Sequence, residues 1–420
     1  MYMRWTTYFS LHRWLLPLAV LAVSCSKNEE PPKPVGSAVE YPGGATQTLR
    51  QMVDSIGDLR IYDSIYHHSD LAHTLDSLRA AGAGQLFTLF APSDQAFQRA
   101  GITLSQVGTM APAVLDSIVF YLSIPGYYSA QALSELQGYQ PLNSLLEVSQ
   151  IQSAYAGEPW QPGNGYSQNN PYIYTLTVGW TNGGVMLNGT PGAAAGAQGV
   201  AATDGVLWEV DTVVTKPTQE AYAVIASDTS FSLYMAACRI NDSIYENNYV
   251  SFNNPIAVSY TSDPDTVDME MMQGVAQRTY FIPTNDAFRR AGMASVADIY
   301  AYIFNSVVVI SGNFYDQYYN TMATNLDSVF RLHQTRGVLF TQDMLNDPSL
   351  NRLAENPSGV GQNGEYPYYW GVSLTNVSGQ VVLHRQDYPG GRASMVIAPK
   401  DIVTLNGVVH SVDNLLIPQP

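Results

Sequence analysis

Phe87-Thr88-Leu89-Phe90-Ala91-Pro92-Ser93-Asp94-Gln95-Ala96-Phe97-Gln98-Arg99-Ala100-Gly101 recurs as Thr279-Tyr280-Phe281-Ile282-Pro283-Thr284-Asn285-Asp286-Ala287-Phe288-Arg289-Arg290-Ala291-Gly292. The matching prolines, Pro92 and Pro283, stand 191 residues apart. Each copy opens on a short apolar run that reads as a buried strand, then offers Ser or Thr as the N-cap of a helix. Phe97 and Phe288 fall in the first turns of those helices and point inward as candidate core anchors. Downstream, Asp204-Gly205-Val206-Leu207-Trp208-Glu209-Val210-Asp211 recurs as Asn406-Gly407-Val408-Val409-His410-Ser411-Val412-Asp413. Here Asp-Gly or Asn-Gly supplies a tight turn, and the apolar alternation after it predicts a strand. Two blocks repeated in the same order at long range predict two tandem domains.

Bulk properties agree, since 420 residues at 46% hydrophobic and 11% aromatic can bury more than one core. Thirty-five acidic residues stand against 19 Lys plus Arg, with no basic cluster, so nucleic acid is excluded as a partner. Abundant Tyr, Gly and Pro suit a strand-and-turn protein rather than a helical bundle.

The paired blocks closely resemble the signatures of the fasciclin family, Thr-x-Phe-Ala-Pro-(Thr/Ser)-x-x-Ala-Phe and Asn-Gly-Val-x-His-x-(Ile/Val)-Asp. The resemblance covers nearly the whole chain after residue 44. It implies an α+β protein of two fasciclin-like domains, 45–217 and 218–420, each a compact β-sandwich wedge flanked by short helices. Leu71 to Ala81 and Phe231 to Ile240 read as leading helices. The family often carries Tyr-His on a helix between the blocks. Aligning Leu115–Leu122 with Val296–Ile303 puts Tyr121 and Tyr302 at the Tyr, with Leu122 and Ile303 at the His. Trp208 replaces the second-block His that the second copy keeps as His410, which reads as a structural histidine. Lys400-Asp401-Ile402 resembles an integrin-binding tripeptide of animal fasciclin proteins, a weak match over three residues.

The N-terminus carries Arg4 and Arg13, an apolar run from Trp14 to Val23, and Leu21-Ala22-Val23-Ser24-Cys25. This resembles a bacterial lipobox, with residues 1–24 as the signal peptide and Cys25 as the lipidated residue. The apolar run is too short to span a bilayer. Acyl chains on Cys25 would hold the protein to the lipid bilayer, and 25–44, rich in Pro and Gly, reads as a tether. Lys27-Asn28-Glu29-Glu30 is similar to the acidic tract that sends Bacteroidota lipoproteins to the outer face of the outer membrane. The localisation expected is therefore an outer-membrane lipoprotein exposed at the surface.

Enzyme signatures are absent from the sequence: no phosphate-binding Gly loop, no His-Glu-x-x-His, no Cys-x-x-Cys and no Gly-x-Ser-x-Gly. The chain is read as a non-enzyme with no cofactor and no metal. His67, His68 and His73 do not share one helix face, and Asp263-Pro264-Asp265-Thr266-Val267-Asp268 lacks the Gly and Glu of a calcium loop. Cys238, in an apolar run, reads as a buried inert thiol.

Two insertions before the second block carry the functional expectation. The first holds Tyr155, Trp160, Tyr166, Tyr172 and Tyr174 among Gly, Asn and Pro; the second holds Tyr366, Tyr368, Tyr369 and Trp370. Tyr and Trp bring rigid contact area, and Asn and Gly bring adaptable hydrogen bonding. Trp160, Tyr166, Tyr172, Tyr368, Tyr369 and Trp370 are the candidate binding residues, for a glycan or an outer-membrane protein partner. The expected function is a non-catalytic adhesion or interaction module; the alternative is a structural spacer or an accessory subunit of an outer-membrane complex.

Overall fold

The computed structural model describes residues 43–81, 84–136, 138–152, 171–249, 278–304, 308–309, 322–323, 325–346, 371–386, 388 and 390–417. The chain folds as an α+β protein in which one arrangement is built twice. In the first half, helices α1 (Leu49–Ser55), α2 (Arg60–His68) and α3 (Leu71–Ala81) precede strand β1 (Phe87–Pro92). Then come α4 (Asp94–Arg99), α5 (Leu104–Val107), α6 (Pro112–Tyr121), β2 (Ser123–Pro125) and α7 (Ala130–Ser134). Six strands complete it: β3 (Gln140–Gln152), β4 (Pro171–Thr181), β5 (Gly184–Leu187), β6 (Thr190–Ala193), β7 (Val200–Ala202) and β8 (Gly205–Val210).

The strand of the first block is central. β1 pairs parallel with β8, the strand of the second block, and antiparallel with β2, giving the order β2-β1-β8-β7. Every residue of β1 is buried, as its run, apolar but for Thr88, requires of a strand covered on both faces. Period two sorts its side chains. Phe87, Leu89 and Ala91 pack with the helices beside Tyr62, Ile65 and Phe97. Phe90 faces the other way, into a core with Trp208 and with Leu176, Val178, Val185 and Leu187 of a second sheet, β3-β4-β5-β6.

The second half begins with α8 (Ala221–Ser227), α9 (Ser232–Tyr249) and β9 (Arg278–Pro283). It continues through α10 (Asn285–Arg290), α11 (Val296–Phe304), the short strands β10 (Val308–Val309) and β11 (Met322–Ala323), α12 (Asn325–Leu332), β12 (Gln334–Arg336) and α13 (Thr341–Asn346). It ends in β13 (Val372–Val377), β14 (Gln380–Arg385), β15 (Ser394–Thr404) and β16 (Gly407–Val412). β9 lies between antiparallel β12 and parallel β16, and its register with β16 reproduces that of β1 with β8. Tyr280 and Ile282 join the helices, while Phe281 packs on Leu374, Leu383 and Val396 of the outer strands. The main difference among the large sheets comes from β15. It pairs with both β14 and β16, so one six-stranded sheet in the second half stands where the first has two four-stranded sheets, beside the short pair β10-β11.

Helix starts are fixed by the repeated blocks themselves. Ser93 and Thr284 accept hydrogen bonds from the backbone of Ala96 and Ala287 as N-caps. Asp94 Oδ1 takes the Ile61 N–H at 2.8 Å, at the start of α2, and Asn285 Oδ1 takes the Leu233 N–H at 2.9 Å, at the start of α9. Likewise Asp204 Oδ1 holds the Leu49 N–H at 2.7 Å and Asn406 Oδ1 holds the Ala221 N–H at 2.8 Å, at the starts of α1 and α8. Residues 41–420 form one compact unit, in which these two halves share a seam described below.

Candidate functional site

Both insertions return to equivalent strands of the repeated frame, although they leave from different elements. In the first half the chain departs from β3 at Gln152 and returns at Pro171 on β4; in the second it departs from α13 at Asn346 and returns at Val372 on β13. β4 and β13 are equivalent, because each turns back through a two-residue loop with positive φ at both positions, Asn182-Gly183 and Ser378-Gly379. Trp160, Tyr166, Tyr368, Tyr369 and Trp370 lie outside the described residues, as does Cys25. Tyr172 stands on β4 opposite Val148, its side chain outside the described residues.

One loop aromatic is a packing residue. Tyr174 is buried, meets Tyr121 edge to face at 6.2 Å, and is covered by Lys216, whose Nζ lies 4.9 Å above the ring. The root of the first insertion is thereby tied to α6. Tyr121 Oη donates to the Thr175 carbonyl at 3.2 Å and accepts from Asn188 Nδ2 at 2.8 Å.

The expected Tyr-His alignment is corrected by the strand registers. Phe90 N–H reaches the Leu122 carbonyl just before β2, and Phe281 N–H reaches the His333 carbonyl just before β12. His333, on the turn after α12, is therefore the counterpart of Leu122, and Leu332 that of Tyr121. Tyr302 and Ile303 belong to α11, an earlier helix. The chain between α11 and α12 is longer in the second half, which hid this match from direct alignment.

Both histidines of the second core are structural. His333 is fully buried, with Nδ1 2.9 Å from the Phe281 carbonyl and Nε2 accepting the Leu416 N–H at 2.9 Å, so Nδ1 carries the proton. Burial pushes its pKa down to about 3, against the hydrogen bond to Phe281. His410 stacks on Phe281, donates from Nε2 to the Leu339 carbonyl at 2.8 Å and accepts the Asp401 N–H on Nδ1 at 3.1 Å. Burial lowers its pKa too. Neither ring can take a proton or a metal without breaking a buried backbone bond.

Trp208 does the work of His410 with a larger ring. Its Nε1–H donates to the Tyr128 carbonyl at 2.8 Å, and Tyr128 occupies the place of Leu339, since the N–H groups of both are held by Thr88 and Thr279 of the central strands. Gly199 provides the room, because a Cβ there would press on the Trp208 indole. At the equivalent place the second half has Asp401, which fits beside the smaller imidazole. The Asp401 carboxylate accepts from Thr341 N–H at 2.7 Å and Thr341 Oγ1 at 2.5 Å, holding the start of α13. Within Lys400-Asp401-Ile402 the acidic group is thus engaged internally.

A third feature was invisible in the sequence. Tyr139 and Met186 of the first half pack with Val338, Phe340 and Val408 of the second, the Tyr139 and Phe340 rings 5.8 Å apart. Phe340 also lies on Gly189, which has no space for a side chain. Beneath this seam Asp343 is buried, accepting the Phe340 N–H at 3.1 Å. Burial pushes its carboxyl up to about 8, against backbone donors at Phe340 and Tyr139 and with the Asp401 charge adding to the rise.

Comparison with known proteins matches the first copy of the blocks. The fasciclin domain family model matches residues 58–216. Among solved structures, a fasciclin domain pair from the insect cell adhesion molecule fasciclin I aligns at 12% identity, over 86% of this chain and 96% of that one, with a TM-score of 0.28. No curated protein matches the chain. The likeness to the fasciclin domain thus runs from Asp58 to Lys216, the first half of this chain.

Proposed function

We propose that the chain is a non-catalytic interaction module of two fasciclin-like domains, 45–217 and 218–420, anchored by lipid at Cys25 and displayed at the outer surface of a bacterial outer membrane. The observation that carries this reading is that both aromatic insertions lead into equivalent strands, β4 and β13, of a frame built twice. The second copy earns its fasciclin-like description from the register of β9 with β16, which matches β1 with β8 residue for residue. Support for a binding rather than a chemical role comes from the second core, where both histidines are spent on backbone hydrogen bonds.

On this reading Trp160, Tyr166, Tyr172, Tyr368, Tyr369 and Trp370 form the contact surface, stacking on sugar rings or gripping a surface protein. The spacer alternative draws on the seam at Tyr139 and Phe340, which joins the halves through apolar contact. The two are separated by probing a glycan array and an outer-membrane extract with the intact chain and with a Trp160→Ala, Trp370→Ala double variant. A module yields a ligand signal that the double variant loses; a spacer yields none, or one that the variant keeps. Cys25→Ala expressed in the same cells should lose palmitate labelling, and labelling that persists would remove the anchor from the proposal.

A further inference from the structure

The seam between the halves rests on a buried acid. Asp343, in the first turn of α13, is 5% exposed and accepts the N–H of Phe340 at 3.1 Å. Its other backbone donor is Tyr139, which belongs to the first half. These are the two residues whose rings meet at 5.8 Å, and Phe340 is the one pressed onto Gly189. One carboxyl therefore holds the backbone of both partners in the seam. Further along α13, Asn346 adds a hydrogen bond between the halves, from Nδ2 to Thr181 Oγ1 at 3.3 Å.

The connection between the halves is short and tied at both ends. Lys216 is held to the first half, its Nζ 3.2 Å from Tyr174 Oη, and the Gln219 carbonyl is held to the second by the Leu405 N–H at 2.9 Å. Pro217 and Thr218 stand between them. Two residues fix little of the angle between the halves, so the seam, with Leu405 in the core around Trp208, must fix it.

The surroundings of Asp343 suit an uncharged acid. From β15 it meets Asp401, whose carboxylate already takes both donors of Thr341. Beside Asp401 are Lys400 and His410 of β16, the His410 Nδ1 3.7 Å from the Asp401 carboxylate and its pKa lowered by burial. The first half brings Tyr139, whose phenol is raised by burial, with Thr181 opposing and the charges of Asp343 and Asp401 adding. β13 and β14 pack on α13 through Val372, Leu374, Val381 and Leu383, while His384 turns to Thr375 at 3.0 Å and Arg385 acts on Tyr302. The charge that reaches Asp343 is thus the like charge of Asp401.

We propose that Asp343 is a proton-operated latch: protonated, it fastens the two halves at Tyr139 and Phe340; ionised, it releases Phe340 from Gly189 and lets the halves swing about Pro217 and Thr218. A carboxylate without a cation or water is costly in such a place, and it gains water when the seam parts. The carboxyl sits at about 8 in the closed seam, against about 3.9 for a hydrated acid. The closed form binds the proton more tightly, so latching is full below about pH 4, weakens by up to about tenfold per pH unit above it, and levels off past about pH 8.

Hydrogen exchange of the full-length chain from about pH 5 to about pH 8, corrected for intrinsic rates, reads the latch in peptides covering Tyr139 and Phe340. Both should lose at least about tenfold in protection over that range. Both should also exchange faster than Phe90 and Phe281 of the central strands, because the opening is local. Asp343→Asn keeps an acceptor for the Phe340 N–H and should hold protection constant with pH. Should that variant not fold, Asp401→Asn takes its place, and its loss should be smaller than in the wild type and level off at lower pH. Constant protection at Tyr139 and Phe340 in the wild type, or a wild-type loss in either variant, would overturn the latch. So would seam amides that exchange no faster than Phe281, because Asp343 would then act only through unfolding of the whole second half.

Discussion

Single residues carry the repeat further than the apolar pattern does. Gly205 and Gly407 open β8 and β16 at φ 159° and 147°, and a Cβ at either would collide with a backbone carbonyl of the central strand, that of Phe87 or of Arg278. The preceding Asp204 and Asn406 then use side chain and carbonyl together, capping α1 or α8 and accepting the first N–H of the central strand. Gly205→Ala and Gly407→Ala should each destabilise by about 3 kcal/mol or more, because backbone rather than a movable side chain must yield. Chemical denaturation checks this, with Gly101→Ala as a control whose Cβ meets open space and only the φ is unfavourable. The Asp-Gly and Asn-Gly turns were legible from sequence. That their side chains cap helices 155 and 185 residues away was not, since a cap partner so distant leaves no local trace.

At the scale of elements, strands, N-caps and Phe anchors stood where the first block placed them, because capping and period-two burial are local physics. The candidate contact surface was legible only as composition: Tyr174 shared that composition and proved to be core. His333 was missed because its helix, α12, follows a long connection and carries neither signature. α13 offers the clearest element-level test. Asp343 sits in its first turn with a folded pKa of about 8, while the unfolded chain ionises near the ordinary carboxylate value of about 3.9. A raised acid binds its proton more tightly when folded, so its stabilising effect is full below about pH 4 and is lost as pH climbs towards 8. Asp343→Asn, which keeps an acceptor for the Phe340 N–H, should melt higher than wild type at pH 7 and should lose that advantage near pH 4. Paired melting curves at the two pH values measure it; an advantage independent of pH would mean that packing, not ionisation, explains the variant.

At the scale of the whole molecule, two cores meet at the small apolar seam of Tyr139 and Phe340, and Leu405 of the second half also joins the core around Phe90 and Trp208. Each half owns a central parallel pair and its helices, so the separated fragments 45–217 and 218–420 should each unfold cooperatively. The second should gain stability when rejoined, because alone it exposes Val338, Phe340 and Val408. If both separated fragments are instead unfolded from the start, the boundary at 217 is misplaced. The central claim is that this doubled frame exists to present its aromatic insertions. It is tested most directly by melting curves of four variants side by side, before any ligand is known. Phe97→Ala and Phe288→Ala remove fully buried anchors and should cost about 3–5 kcal/mol each, enough to unfold a marginal domain. Trp160→Ala and Trp370→Ala should melt within a degree or so of wild type, as exposed contact residues do. If the two tryptophan variants instead melt as early as the phenylalanine variants, the insertions are part of the core and the account of a presented binding surface is wrong.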